Sequence, residues 1–148
     1  MRNKNWIILI LFGVIFLLSS SFSTTPDNTA TLTVEITNIK NTDGVVQIGL
    51  YKKPENFPSP NKQYRVERIK PSGKTLTYKF TGLAPGKYAV AIYHDENGDK
   101  KCNRNLIGVP TEAYAFSQNF RPGLSAPKFS DCCVTVKKTK VVSIKLVY

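Results

Sequence analysis

The sequence predicts an all-β fold, a single antiparallel β-sandwich of about seven short strands. Apolar residues alternate with polar ones in most segments from residue 30 onward, which is the period of a strand with one buried face. Turns rich in glycine and proline separate these segments at short intervals, and none of the segments shows the helical period. Two sheets packed in an immunoglobulin-like manner account for both observations.

The first two strands are predicted to form a hairpin. One strand lies around Leu32–Ile36 and the other around Val46–Leu50, and Asp43-Gly44 supplies the turn residues between them. The prolines within residues 54–60 then interrupt the alternation, which indicates a loop.

The remaining strands follow the same alternation. A charged segment, Tyr64–Ile69, is typical of a sheet edge, and Leu76–Phe80 and Tyr88–Ile92 come after it. The segment Cys132–Val136 is predicted to pair as a hairpin with the terminal strand, Val141–Val147. Because the terminal strand is expected inside a sheet, its removal should unfold the domain.

One long segment, residues 94–131, departs from the strand rhythm. A loop of this length in a small domain is usually functional or disordered. Its apolar content favours order, because such residues are scarce in disordered segments. We therefore expect an ordered excursion that packs against one end of the two sheets. Its apolar residues are Leu106, Ile107, Val109, Tyr114, Phe116, Phe120, Leu124 and Phe129.

The first residues have the order of a secretory signal peptide. Arg2 and Lys4 are basic, an apolar run at Trp6–Leu18 follows, and small residues lead to a cleavage site after Ser23. A spanning helix needs about 20 residues, so the run favours cleavage over a retained anchor, and no membrane span is expected afterwards. The predicted organisation is a signal peptide at 1–23, a linker at 24–29 and a β-sandwich domain at 30–148. Such a chain is exported, either to the periplasm or out of the cell.

The chain is basic, with 21 Lys and Arg residues against 10 Asp and Glu residues and a formal net charge of +11. The basic residues are scattered, and the sequence has no arginine-rich arm or aromatic-basic RNA motif, so nucleic-acid binding is not expected. A solvated basic surface is the favoured interpretation, and attraction to an anionic envelope surface is the alternative.

Three cysteines, Cys102, Cys132 and Cys133, lie in the part of the chain predicted to be exported. A disulfide between Cys102 and either Cys132 or Cys133 is one interpretation, since exported proteins retain disulfides. Buried thiols are the other. The sequence contains no CxxC pair and no zinc-ligand spacing.

The excursion begins with His94-Asp95-Glu96-Asn97-Gly98-Asp99. Asp95, Asn97 and Asp99 bear oxygens at alternate positions, as in a loop that binds calcium. A full loop also needs an acidic residue near its twelfth position, which here is Leu106. The pattern therefore favours a turn in which these side chains bind the local backbone. Calcium is the alternative, and no cofactor is the primary expectation.

His94 is the only histidine, and together with Asp95 or Ser117 it raises the hypothesis of a hydrolase. Neighbouring residues on a strand point to opposite faces, and no nucleophile-elbow motif is present. A structural histidine is therefore favoured, and the chain is not expected to be an enzyme.

The second half of the excursion, residues 107–119, mixes aromatic with small and amide residues. Exposed aromatic and amide side chains on a loop suit a peptide or a glycan, and the alternative is that Tyr114 and Phe116 hold the loop on the core. The predicted binding surface comprises His94, Asp95, Asn97, Tyr114, Phe116, Ser117 and Asn119.

The segment at residues 94–119, together with the strands described above, resembles a bacterial family of small exported proteins designated domain of unknown function 2141. The most specific stretches are His94–Asp99 and Gly108–Ser117, and the resemblance covers about residues 30–148. It implies export and a β-sandwich of transthyretin-like or carboxypeptidase-regulatory-like style. No catalytic residue is transferred, because the family has no established activity. Lys100 and Asn103 stand where the family tends to have glycine and aspartate, which weakens the calcium interpretation.

Together these observations favour a monomeric, non-enzymatic binding or accessory module of the bacterial envelope. Its partner is expected to be an envelope protein, a peptide or a glycan. The working surface is expected within residues 94–119, because loops on a rigid β-framework commonly carry binding residues. A calcium-stabilised structural domain and a hydrolase are the two alternatives.

Overall fold

The structure, a computed structural model, describes residues 28–123 and 125–148, so the predicted signal peptide and most of the linker lie outside it. Within these residues the chain forms eight strands and little helix, which confirms the predicted all-β class. No helix there is long and apolar enough to cross a membrane. The elements are β1 (Ala30–Thr37), β2 (Val45–Tyr51), β3 (Arg65–Ile69), β4 (Thr75–Leu83), β5 (Gly86–Asp95), β6 (Tyr114–Phe116), α1 (Phe129–Cys132), β7 (Val134–Val136) and β8 (Thr139–Lys145), with 3₁₀ turns at Pro54–Asn56 and Ser117–Asn119.

The strands form two sheets. The three-stranded sheet has the order β4-β1-β8, in which β1 is antiparallel to β4 and parallel to β8. The five-stranded sheet has the order β3-β2-β5-β6, and β7 pairs with a different stretch of β5. All pairs of this second sheet are antiparallel. The expectation of entirely antiparallel sheets is therefore wrong for the pair of β1 and β8.

Both predicted hairpins are wrong. β1 and β2 follow each other in sequence but lie in different sheets, and the same is true of β7 and β8. The terminal strand β8 is also at the edge of its sheet and not inside it, because β1 is its one partner strand among the described residues. Period-two alternation identifies the face of a strand that points inward. It does not identify the neighbouring strand, which depends on contacts distant in sequence.

The main core joins inward-facing side chains of both sheets. The alternation in β1 and β2 predicted this face correctly, and its side chains are fully buried: Leu32, Val34, Ile36, Val46, Ile48 and Leu50. Phe80 of β4 and Ile144 of β8 belong to the same cluster and are also fully buried. The edge strand β8 therefore contributes to the core despite its single neighbour.

The five-stranded sheet is covered on its outer face as well. Tyr51 and Ala89 alternate with core-facing residues and so point to the other side of the sheet. There they pack with Phe57, from the loop after β2, and Phe129, from α1, whose rings lie 6.1 Å apart. This second cluster fixes the loop at residues 52–64 and α1 onto the sheet.

The excursion at residues 94–131 packs differently from what its apolar content predicted. Tyr114–Phe116 return to the five-stranded sheet as β6, beside β5. Phe129 is buried as expected, but Leu106, Ile107 and Val109 are exposed. Their prediction as packing residues is therefore wrong, and Leu124 lies outside the described residues.

Candidate functional site

A short hairpin, residues 103–111, leaves the five-stranded sheet between β5 and β6. An isolated antiparallel bridge joins Arg104 to Pro110. The backbone N–H of Thr111 donates to the Asn103 carbonyl over 2.8 Å. The base of the hairpin is thus held by its own backbone hydrogen bonds.

Asn105 organises the tip of this hairpin. Its Oδ1 accepts the backbone N–H groups of Ile107, at 3.1 Å, and Val109, at 2.9 Å. Its own N–H donates to the Val109 carbonyl over 2.9 Å. Gly108 has a φ of +81°, a conformation that glycine adopts without steric cost. The tip therefore has a defined shape although it takes no part in either apolar cluster.

Three apolar side chains face water at the tip. The exposed fraction is 107% for Leu106, 84% for Ile107 and 47% for Val109. Single exposed apolar residues are ordinary, whereas several on one rigid turn form a patch typical of an interaction site. The signal in the sequence was an apolar run without alternation, flanked by Asn105 and by Pro110.

The turn between β5 and the hairpin is built around Asp95. This side chain is almost fully buried, and its two carboxylate oxygens accept the backbone N–H groups of Gly98, at 2.8 Å, and Lys100, at 2.9 Å. A carboxylate that satisfies two N–H groups stabilises a tight turn. Asp95 thus fixes the direction in which the chain leaves the sheet.

Asn97 and Asp99 continue the same pattern. Oδ1 of Asn97 accepts the N–H of Asp99 at 3.0 Å, and Oδ1 of Asp99 accepts the N–H of Lys101 at 2.8 Å. The latter bond is the main reason that the pKa of Asp99 is lowered. The predicted backbone-binding turn is confirmed. Calcium binding by Asp95, Asn97 and Asp99 stays a prediction, and a rise in melting temperature with millimolar calcium would support it.

No group of three or more His, Cys, Asp or Glu side chains in residues 28–123 and 125–148 is arranged to hold a metal ion.

His94 is fully buried at the end of β5. Its Nε2 lies 2.7 Å from the carbonyl oxygen of Asp43, so Nε2 carries the proton and donates. Its Nδ1 has no hydrogen-bond partner among the described residues and lies 3.6 Å from Oε1 of Glu96. The histidine therefore ties the connection between β1 and β2 to β5.

Ser117 fills a gap along the edge of β5. That edge pairs with β7 at Gly86–Tyr88 and with β6 at Ala91–Tyr93. Between these stretches the Ser117 Oγ accepts the N–H of Val90 at 2.9 Å and donates to the Cys132 carbonyl. Ser117 is fully buried, so these bonds satisfy backbone groups that water cannot reach.

The structure does not bring Ser117 and His94 together. Ser117 bonds to Val90, and His94 lies four residues further along β5, a distance of about 13 Å at the rise of a strand. Both side chains are fully buried. Their positions give the hydrolase hypothesis no support.

Asn119 and Tyr114 bind the C-terminal segment. Nδ2 of Asn119 donates to the Ser143 carbonyl at 3.1 Å, and its Oδ1 accepts the N–H of Lys145 at 2.8 Å. The side-chain amide thus pairs with the edge of β8 as a strand would. Tyr114 exchanges two backbone hydrogen bonds with Val147, at 3.0 and 2.9 Å. These contacts link the two sheets.

The predicted binding residues are therefore spread over different environments. Phe116 is half-buried, and its ring lies 5.9 Å from that of Phe57 in the second cluster. Tyr114 is half-buried next to it, whereas Asn97 and Asn119 are exposed. The other three predicted residues are buried: His94, Asp95 and Ser117.

The three cysteines are free thiols, as in the second of the two interpretations, and no disulfide joins them. Cys102 lies beside Tyr93, near the end of β5. The Cys132 carbonyl accepts from Ser117, which also bonds to Val90 of β5, three residues before Tyr93. Three residues of a strand span about 10 Å, and a disulfide requires Cα atoms within about 7 Å.

Cys102 and Cys132 should react slowly with alkylating reagents in the folded chain. Burial raises the pKa of Cys102 to about 11 and that of Cys132 to about 12. A raised pKa lowers the thiolate fraction, so at about pH 8 only about one Cys102 in a thousand is reactive, and its rate should rise with pH. We expect slow alkylation of Cys102 and Cys132 in the folded chain, and reaction of all three cysteines once it is unfolded without reductant. Reaction of a single cysteine after unfolding would show a disulfide.

The fold and the hairpin define a small all-β protein of two sheets with an apolar-tipped projection. The chain belongs to the bacterial family described as "Uncharacterized protein conserved in bacteria (DUF2141)", whose family model matches residues 34–145. The resemblance noted in the sequence is thereby confirmed. No curated protein and no solved structure is significantly similar to the chain.

Proposed function

We propose that this chain is a non-enzymatic binding module that engages an envelope protein or peptide through the tip of the hairpin at residues 103–111. The observation that carries the proposal is the exposure of Leu106 and Ile107 on a turn whose backbone Asn105 fixes. Burial of one such side chain contributes about 1.5–3 kcal/mol. Two of them on a preorganised turn suffice for the centre of a binding surface.

The charge next to the tip supports a partner with an acidic rim. Lys100, Lys101 and Arg104 are exposed and lie on the approach to the tip or at its base. Basic side chains beside an apolar contact guide association with an acidic surface and set its orientation. The partner that fits best is therefore a protein with an apolar recess bordered by acidic side chains.

The cellular setting follows from the N-terminal sequence. Basic, apolar and small residues in succession support export with cleavage after Ser23, to the periplasm or out of the cell. In this proposal the two sheets form a transthyretin-like or immunoglobulin-like sandwich, and the chain acts as a monomer. A mature protein that begins at Thr24 in a mass spectrum is the expected result.

Replacing the two tip residues should abolish partner binding without unfolding the chain. We expect the double variant Leu106→Ser, Ile107→Ser to lose retention of envelope proteins that the unaltered chain captures, since the apolar contact is removed. The melting temperature should hardly change, because these side chains touch no core residue. The measurement is quantitative mass spectrometry of captured proteins, followed by titration of the purified partner.

A matched control separates the tip from exposed apolar surface in general. Val66 and Val141 are 39% and 52% exposed on strands, so the double variant Val66→Ser, Val141→Ser also removes apolar surface from water. This control should retain the partner. Equal retention by the unaltered chain and by both double variants would rule out the tip as the contact surface.

A further inference from the structure

A second surface lies at the opposite end of the five-stranded sheet from the hairpin. The hairpin follows Asp95, where β5 ends, whereas Tyr51 at the end of β2 pairs with Ala89, near the beginning of β5. A cleft of about 410 Å³ opens there, where the chain passes from β2 to β3. Its lining residues are Lys52, Lys53, Asn56, Lys62, Gln63 and Tyr64.

The cleft concentrates positive charge. Half of its lining side chains are lysines, and none of the six is acidic. Glu55, in the adjacent 3₁₀ turn, is exposed and does not line the cleft. Like charges held around one concave surface raise the local potential and favour an anion between them.

Tyr64 supplies a flat apolar surface in the same cleft. Its side chain is 50% exposed, and its ring centroid lies 6.2 Å from that of the fully buried Tyr88. Its backbone N–H donates to the Leu50 carbonyl over 2.8 Å, which anchors it to β2. Nζ of Lys52 lies over this ring, 5.6 Å from its centroid. An aromatic ring and an ammonium group in contact with each other suit a ligand that has both an apolar ring face and a negative charge.

Gln63 packs against the sheet beneath the cleft. It lies over Gly49 next to Tyr51, whose hydroxyl donates to the Ser59 carbonyl over 3.1 Å. Gly49 makes room for this arrangement, because a Cβ at that position would lie 3.0 Å from Cγ of Gln63. Gln63 is thus positioned before a ligand binds, which reduces the entropy lost on binding.

We propose that this cleft binds an anionic glycan. The lysines pair with its carboxylate or phosphate groups, the Tyr64 ring stacks on a sugar ring, and the Asn56 and Gln63 amides bond to hydroxyl groups. A sugar ring has apolar C–H faces and a polar edge, so it requires these three kinds of contact together. Free phosphate would use the lysines alone. This site is separate from the hairpin tip, so either proposal can be wrong while the other is correct.

The test is calorimetric titration of the full chain with tetragalacturonate, a carboxylated oligosaccharide. The triple variant Lys52→Gln, Lys53→Gln, Lys62→Gln should bind it about tenfold more weakly or worse. The matched control has the same loss of charge at Lys137, Lys138 and Lys140, none of which lines the cleft, and should stay within about threefold of the unaltered chain.

A second comparison separates a glycan from a bare anion. Tyr64→Leu keeps apolar bulk and removes the aromatic face, so it should weaken tetragalacturonate binding and leave the response to inorganic phosphate unchanged. Neutral maltotetraose should bind far more weakly than tetragalacturonate. The proposal is overturned if the unaltered chain does not bind tetragalacturonate, if both triple variants lose affinity equally, or if inorganic phosphate binds as tightly as the oligosaccharide.

Discussion

Replacement of Gly44 by alanine is expected to destabilise the chain by more than about 3 kcal/mol. Gly44 has a φ of +56°, and a Cβ added to it would lie 1.8 Å from the carbonyl oxygen of Asp95. That oxygen belongs to the backbone of β5, so no side-chain rotation relieves the clash. The ladder between β2 and β5 begins here, with Val45 opposite Asp95, and it would have to shift. The midpoint of urea unfolding measures the effect.

Gly82 provides the control for this prediction. Its φ is +65°, but a Cβ there would meet no atom within 4 Å. Gly82→Ala therefore carries only the conformational cost of an alanine in the left-handed region, about 1–2 kcal/mol. Similar losses of stability for the two variants would show that close packing at Gly44 is not what requires glycine.

Replacement of Ser117 by alanine should cost about 2 kcal/mol, because it leaves the buried N–H of Val90 and the Cys132 carbonyl without their partner. Ser130 is the control, since it is exposed and its hydroxyl bonds only to the neighbouring Asp131 carboxylate. Ser130→Ala should change the free energy of unfolding by less than about 0.5 kcal/mol. If Ser117→Ala were as stable as the unaltered chain, the hydrogen bonds of the Ser117 hydroxyl would not be what stabilises this part of β5.

The faces of the strands could be predicted from sequence, but their neighbours could not. Val34 and Ile48 were assigned inward by alternation alone, and both are fully buried. Alternation is a local property, since successive side chains of a strand point to opposite sides. The parallel pairing of β1 with β8 joins residues more than 100 positions apart, such as Val34 and Val142. No local pattern encodes such a pair.

The candidate site shows a similar division. The turn at Asp95–Asp99 was predictable, because Asx side chains bind the backbone within a few residues. The exposed tip was not predictable, since Leu106 and Ile107 are residue types that usually lie in a core. Only the backbone of the hairpin, closed on itself by Asn105, shows that they point to water. The lysine cleft also depends on folding, because Tyr64 reaches it through its pairing with Leu50.

In the proposed function, the hairpin tip is the surface by which this protein binds its partner. Photocrosslinking in living cells tests this contact, with p-benzoylphenylalanine placed at Ile107 in one variant and at Val141, on the edge strand β8, in another. Both positions are exposed, at 84% and 52%, so both probes can reach a neighbouring molecule. We expect one discrete protein adduct from position 107 and none from position 141. No adduct at 107, or the same adducts from both positions, would show that the tip is not the surface that binds the partner.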